Sequence, residues 1–230
     1  MGDWIAFWDS KHSIYVNARH RDVHYRLIAD DIARYVPAPT ATVLDYGCGE
    51  ALHADRLAAK AGRLILVEAA PHVRAGLAAR FKDHPRIEAR SPKEMAALAD
   101  RTLDLAVMNS VAQYLTSSEL DTLLVTFRRL LKPDGLLVIG DIVPPHVSPL
   151  TDAMALLKLA AANGFLWAAL AGLLRTALSD YRRLRSQLGL SLYGQDEMIE
   201  KLTAAGFAAT RAPANIGHNR ARMTFLARAG

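Results

Sequence analysis

The run Thr42-Val43-Leu44-Asp45-Tyr46-Gly47-Cys48-Gly49-Glu50-Ala51 constrains this chain more than any other stretch. β-Forming and apolar residues lead into an acid, then Gly-x-Gly, then an alanine-rich segment that reaches Ala61. The pattern predicts a buried strand over 42–46, a tight turn and a helix over 51–61. Glycine belongs in that turn because a side chain would hold a ligand off the backbone, and because glycine tolerates positive φ. The free N–H groups of the following helix point at whatever lies over the turn, which suits a nucleotide-like ligand.

A second strand, Leu64-Ile65-Leu66-Val67, ends at Glu68. An acid about 20 residues after the glycines can accept both hydroxyls of a ribose. The turn departs from the dinucleotide fingerprint G-x-G-x-x-G, because Glu50, Ala51, Leu52 and His53 follow Gly49 and no third glycine appears. A pyrophosphate would meet Asp45 and Glu50 there and be repelled, whereas a cationic ligand end is favoured. This weighs against a nicotinamide oxidoreductase.

These residues, with the strand Leu103–Asn109 and the run Leu130-Leu131-Lys132-Pro133-Asp134-Gly135-Leu136-Leu137-Val138, resemble the class I S-adenosylmethionine-dependent methyltransferases. The resemblance is firm over residues 40 to 142 and looser from 194. It implies an α/β fold: a Rossmann-like, doubly wound, seven-stranded sheet, mostly parallel, with an antiparallel last strand. It implies S-adenosyl-L-methionine as cofactor, with Asp45, Gly47, Cys48 and Gly49 at its methionine half and Glu68, followed by Ala69, at its ribose. Ser91, after the third strand, is the residue left to accept from the adenine amine, where many members place Asp. Asn109 and Ser110 end the fourth strand beside the methyl donor. Ala51 stands where the family often has Gly.

The rest of the chain is apportioned around that core. Residues 1–40 form an N-terminal helical cap, 41–147 the cofactor-binding core, 148–193 an apolar helical lid or insertion after the fifth strand, and 194–230 a helix and the last two strands. In the cap, Trp4, Ile5, Phe7 and Trp8 form an aromatic cluster. Apolar residues from Val23 to Val36 then recur at helical spacing until Pro37 and Pro39. His20 and His24 share one face of this helix, with Tyr15 just upstream. No H-E-x-x-H pattern accompanies them, so no metal site is expected. Further strands are expected at 63–68, 86–89, 103–109, 135–141, 207–213 and 222–228, and helices at 71–82, 92–99, 119–131 and 195–205, with Ser117 or Ser118 capping 119–131.

Ligands in open α/β sheets sit at the carboxyl ends of strands, which brings Asn109, Gln113, Tyr114 and, after Asp141, His146 to one edge. His20, His24 and His146 are the candidate bases, with Tyr15 or Tyr114 as an orienting group, and Gln113, Tyr114, His146 and His218 are the candidate substrate contacts. Residues 150–178 are almost wholly apolar, but the uncharged run Leu159–Leu174 is shorter than a membrane span. A lid over an apolar acceptor is one reading. Contact of 150–185 with a membrane surface, through Arg175, Arg182, Arg183 and Arg185, is another. The run could also serve as a homodimer contact. Tyr181, Arg185 and Tyr193 are weaker candidates for acceptor contact, and surface roles are expected for each.

One cysteine leaves no internal disulfide, and no secretory leader is read at the start, so a cytoplasmic, membrane-associated or free, protein is expected. The net charge of +5 is dispersed without basic–aromatic interleaving, and Asn109 is followed by Ser110-Val111, so no nucleic-acid partner is expected. The expected partner is a small, partly apolar acceptor, with O-, N- or C-methylation unresolved. The alternatives are a lipid- or quinone-like acceptor at a membrane surface and a non-catalytic interaction protein that keeps the cofactor fold.

Overall fold

The structure is a computed structural model that describes residues 2–10, 15–177 and 190–229, without the side chains of 2, 3 and 175–177. The side chain of Arg175 and the residues Tyr181, Arg182, Arg183 and Arg185 therefore lie outside the described part. The core begins with β1 (Thr42–Tyr46), α3 (Ala54–Ala58), β2 (Arg63–Val67), α4 (Pro71–Arg80), β3 (Ile87–Arg90), α5 (Pro92–Ala96) and β4 (Leu103–Asn109). It continues through α6 (Ser117–Leu130), β5 (Leu131–Ile142), α9 (Gln195–Ala204), β6 (Phe207–Arg211) and β7 (Met223–Ala229). Two helices, α1 (Gly2–Trp8) and α2 (Ala18–Ile32), precede the sheet, and α7 (Pro149–Asn163) and α8 (Leu166–Ala177) form a hairpin after β5.

The seven strands lie in the order β3-β2-β1-β4-β5-β7-β6. The first five pair in parallel, and β7 runs antiparallel to both β5 and β6. Parallel pairing requires a covered crossover on each face, and the strands read accordingly: Val43, Leu44, Leu64, Ile65, Leu105, Val107, Leu137 and Val138 are fully buried. One core layer packs α6 and α9 against the sheet through Leu120, Leu124, Phe127, Met198 and Leu202. The other packs α3 and α4 through Leu57, Ala58 and Leu77, with Ile32 from α2.

Three boundaries differ from expectation, each for a local reason. Helix α3 covers Ala54–Ala58 rather than 51–61, because Gly47, Gly49 and Ala51 all take positive φ (72°, 56° and 42°) and the turn runs on through His53. Helix α6 is capped by Thr116, not Ser117 or Ser118: its hydroxyl accepts from Glu119 N–H and Glu119 returns the bond, a capping box. Strand β5 starts at Leu131 rather than 135, since Leu131 pairs with Leu103 before a bulge and Lys132 Nζ reaches Asp104 at 2.8 Å.

The α7–α8 hairpin has two faces. Ser148 caps α7, and Gly164 at φ 73° turns the chain into α8. Inward, Leu159, Ala160, Phe165 and Ala169 form a small cluster with Val23 of α2. Outward, the hairpin carries six of the eight exposed large apolar residues among the described ones, with Trp167 83% exposed, so this face is not covered by any described residue. None of the described helices is long and apolar enough to cross a membrane.

Candidate active site

The carboxyl ends of β1, β2, β4 and β5 converge under α1, α2 and the hairpin. At β1 the turn is bare backbone: a Cβ on Gly47 would meet Val111 Cγ2 at 2.3 Å, and one on Gly49 would meet the Tyr25 hydroxyl at 2.7 Å. At β2, Glu68 is buried and its two oxygens are fixed by backbone donors, Gly49 N–H at 2.9 Å and Ala70 N–H at 2.8 Å. Burial raises its carboxyl above the ordinary range, against the pull of those N–H groups. Each carboxylate oxygen keeps a further lone pair for a ligand hydroxyl. Ala69 lies between these donors, and its carbonyl accepts from Arg74 at 3.1 Å.

Asp45 ends β1 beside Glu68 with no hydrogen-bond partner among the described residues. Burial, then the neighbouring Glu68, push its carboxyl up to about 7. Arg74 is the cation beside Glu68, and no described cation acts on Asp45, so an ammonium or sulfonium group would relieve this pair of acids and a pyrophosphate would not. Glu50 does not add to them, because it turns outward to Arg21 at 3.4 Å. Cys48 is buried in the turn, and burial together with Asp45 and Glu68 raises its thiol well above its ordinary value, so it is no thiolate nucleophile.

The edge residues of β4 and β5 form a second group. Asn109 Nδ2 donates to Ser110 Oγ at 3.1 Å, and Ser110 Oγ donates to Asp141 at 2.7 Å. Gln113 Nε2 reaches Ser110 O at 3.3 Å, leaving Gln113 Oε1 and Asn109 Oδ1 buried without partners. Ser110 and Asp141 both take φ of 61°, a left-handed strain held by this network. Arg222 from β7's approach pairs with Asp141 at 2.7 Å and with Asp152 of α7 at 2.9 Å, and Asn219 also donates to Asp152. This ties the hairpin to the sheet. Sequence spacing has no signal for such a pairing, because its members lie up to 81 residues apart.

Above the turn is an aromatic cluster. Tyr25 covers Gly49 and its hydroxyl accepts from Glu50 N–H at 3.0 Å. Tyr15 lies on Tyr25, His20 and His24 with ring centroids at 5.8, 5.4 and 5.3 Å. His20 stacks on Phe165 of the hairpin at 5.2 Å. His218, from the loop between β6 and β7, acts electrostatically on both His20 and His24. The fold thus brings Tyr15, His20, His24 and His218 together from distant segments. Tyr25 is the member that sequence reasoning missed, since nothing near it in the chain marks it as a cover for a glycine. Burial and His218 hold His20 at about 4; burial, His218 and His20 hold His24 at about 3, so both are neutral at pH 7.

Tyr114 acts electrostatically on Tyr15, while the other candidates lie elsewhere. Tyr114 packs under Trp4 at 4.4 Å and Trp8 at 5.8 Å, while Asp9 caps His72 N–H at 2.7 Å, so α1 bridges the β4 turn and α4. His146 is exposed in the turn after β5. Ser91 has another use: it caps α5 in a box with Glu94, its hydroxyl donating to Glu94 at 2.7 Å and accepting Glu94 N–H at 3.2 Å. Tyr193 is buried behind Val143 rather than at the surface. No described group of three or more His, Cys, Asp or Glu has the geometry for a metal ion.

The strand order, the antiparallel β7 and the acid-flanked glycine turn define the class I, Rossmann-like methyltransferase fold. Within it, residues 44–139 match the family model described as a methyltransferase domain, and the acid-flanked turn fits S-adenosyl-L-methionine as cofactor. No curated protein sequence matches the chain. Among solved structures, the CurJ carbon methyltransferase is similar at 16% identity and TM-score 0.58, over 93% of this chain and 56% of that one. The chain thus spans just over half the length of that relative. Magnesium protoporphyrin IX methyltransferase from Synechocystis PCC 6803, solved with bound SAM, is similar at 12% identity and TM-score 0.58, over 99% and 89% of the two chains. A putative methyltransferase in complex with a Haloferax volcanii methyltransferase activator is similar at 14% identity and TM-score 0.58, over 90% and 91%.

Proposed function

We propose that this protein methylates a small, partly apolar acceptor held between α2, the β6–β7 loop and the α7–α8 hairpin. The observation that carries the reading is Asp45, a deep carboxylate without a partner beside a pre-oriented Glu68. The residues fit the cofactor: Asp45 faces its cationic methionine end, and Glu68 takes the ribose hydroxyls. When bound, the cofactor supplies a methyl group already activated on a sulfonium. The protein's share is then to exclude water and hold the acceptor in line. Trp4, Trp8 and Phe165 serve the first purpose, and the Tyr15–His20–His24 group serves the second.

Titration calorimetry with S-adenosylhomocysteine tests this. The wild type is expected to bind at micromolar Kd, and Glu68→Ala to weaken binding tenfold or more. Binding of NADH instead would sink the reading.

A lipid-like acceptor drawn from a membrane surface is a second reading, favoured by the outer face of the hairpin. Leu150, Met154, Trp167, Leu170 and Leu174 are exposed there. The one acid of α7, Asp152, is turned inward onto Arg222, and Lys158 is exposed. An apolar face flanked by an exposed lysine suits an anionic bilayer surface. Two copies of the face would instead oppose like charges.

A further inference from the structure

The last acidic residue of the chain is Glu200, and residues 201–230 carry Lys201, Arg211, Arg220, Arg222 and Arg228 with no Asp or Glu. The fold gathers three of these arginines. Strands β5 and β6 both run antiparallel to β7, so Arg211 at the end of β6 lies at the sheet edge where Asp141 nears the end of β5. The β6–β7 loop leaves from that edge and returns to it. Arg211, Arg220 and Arg222 line a cavity of about 230 Å³ there, and no carboxylate lines it.

The three cations are not equivalent. Arg222 is neutralised by Asp141 and Asp152 and serves as wall. Arg211 donates to the Gln195 side-chain carbonyl at 3.1 Å, a neutral partner. Arg220 has no hydrogen-bond or ion-pair partner among the described residues. Asp31 of α2, which meets the same loop, is taken by Arg34 and by Gly217 N–H. Backbone adds further donors: Ala214 and Asn215 line the cavity, and neither N–H has a partner among the described residues.

The loop that presents these donors is held in shape. Asn215 Oδ1 accepts from Asp141 N–H at 3.1 Å and from Thr224 Oγ1 at 2.9 Å, while its Nδ2 donates to the Asn219 carbonyl at 3.0 Å. Thr224 Oγ1 in turn accepts from Ile216 N–H at 2.9 Å. Backbone fixed in this way binds a ligand with little ordering cost. Ala212 and Met223 add an apolar side to the cavity. A cation would find no carboxylate there, whereas a group that only accepts hydrogen bonds and carries negative charge matches the arginines and the free N–H groups. The volume falls below the roughly 300–1,000 Å³ of sites for drug-sized molecules, so the match is to a single small group.

We propose that this pocket is an oxyanion site for a phosphate or a carboxylate, either free or carried at one end of the acceptor. The inference does not depend on the methyl-transfer reading. Both sources are open to it, because β7 stands two strands from β4, about 10 Å at about 4.8 Å per strand.

The test is calorimetric titration of the full chain with inorganic phosphate at low ionic strength. Saturable binding with a millimolar Kd is expected. The double variant Arg211→Gln with Arg220→Gln is expected to weaken it about tenfold or more without lowering the melting temperature, since both side chains are exposed. Arg228→Gln removes an arginine of the same acid-free tail that does not line the cavity, and is expected to leave binding unchanged. A wild type that does not bind phosphate saturably overturns the inference, as does an equal loss in Arg228→Gln and the double variant. Titration with naphthyl phosphate then separates the sources. Affinity about tenfold above that of inorganic phosphate, lost in the double variant, assigns the oxyanion to an apolar acceptor, and equal affinity assigns a free anion. Failure of S-adenosylhomocysteine to bind would count against the proposed function and leave the phosphate result standing.

Discussion

Asp45 sets the sharpest expectation at the scale of single residues. Its carboxyl titrates near 7 in the fold and near 4 in an unfolded chain, where it is an ordinary aspartate. A raised folded value means the stabilising share is complete below about pH 4 and is lost as pH rises through 7. Asp45→Asn lacks that loss. It is expected to be more stable than the wild type at pH 8 by about 2 kcal/mol, with the gap closing toward pH 5, in thermal melts. The same variant is expected to bind S-adenosylhomocysteine at least tenfold more weakly at pH 8. Wild-type affinity should fall as pH drops from 7.5 to 5.5, by up to about tenfold per unit, because the ligand's cation needs the ionised acid. A flat profile would remove Asp45 from the cofactor site. Asp45, Gly47, Gly49 and Glu68 were legible in the sequence because a strand, a turn and the end of the neighbouring strand are local patterns. The capping of α5 by Ser91 went unread, although a serine before Pro92 with Glu94 three residues on is the signature of a helix cap.

The telling element is the α7–α8 hairpin. Its anchor is the buried Arg222, paired on one side with the end of β5 and on the other with the first turn of α7. Arg222→Ala removes the cation shared by Asp141 and Asp152, so a loss of about 3–5 kcal/mol is expected in urea unfolding. A change below about 1 kcal/mol would mean the hairpin is held by its apolar cluster alone. The outer face makes a separate expectation. Wild-type protein should co-sediment with phosphatidylglycerol vesicles and not with phosphatidylcholine vesicles, and Trp167→Ser with Leu174→Ser should abolish this without lowering the melting temperature. Retained binding in the double variant would discard the membrane-surface reading. Sequence reading found the apolar stretch but could not assign its faces. Nearly every position is apolar, so periodicity carries no direction, and only Phe165 on His20 and Trp167 in solvent show which side is which.

At the scale of the whole molecule, the sheet order makes the C-terminus structural. Strand β7 covers β5 along Leu136–Ile142 and buries Phe225 and Ala227 completely. Deleting residues 207–230 exposes that edge and the core beneath it, so the truncated chain is expected to lack a cooperative thermal transition by circular dichroism. A folded, cofactor-binding truncation would contradict this. The sequence by itself determined the alternation of strands and helices, the acid-flanked glycine turn and Glu68. Each depends on contacts between near neighbours or on periods of burial along one element. The tertiary structure alone decided that Tyr25 covers Gly49, that His20, His24 and His218 share one cluster, and that Arg222 joins the hairpin to β5. Those groups come from segments as far apart as the N-terminal helix and the final loop, and their neutrality and pairing arise from burial, which a chain acquires only when distant parts close over one another.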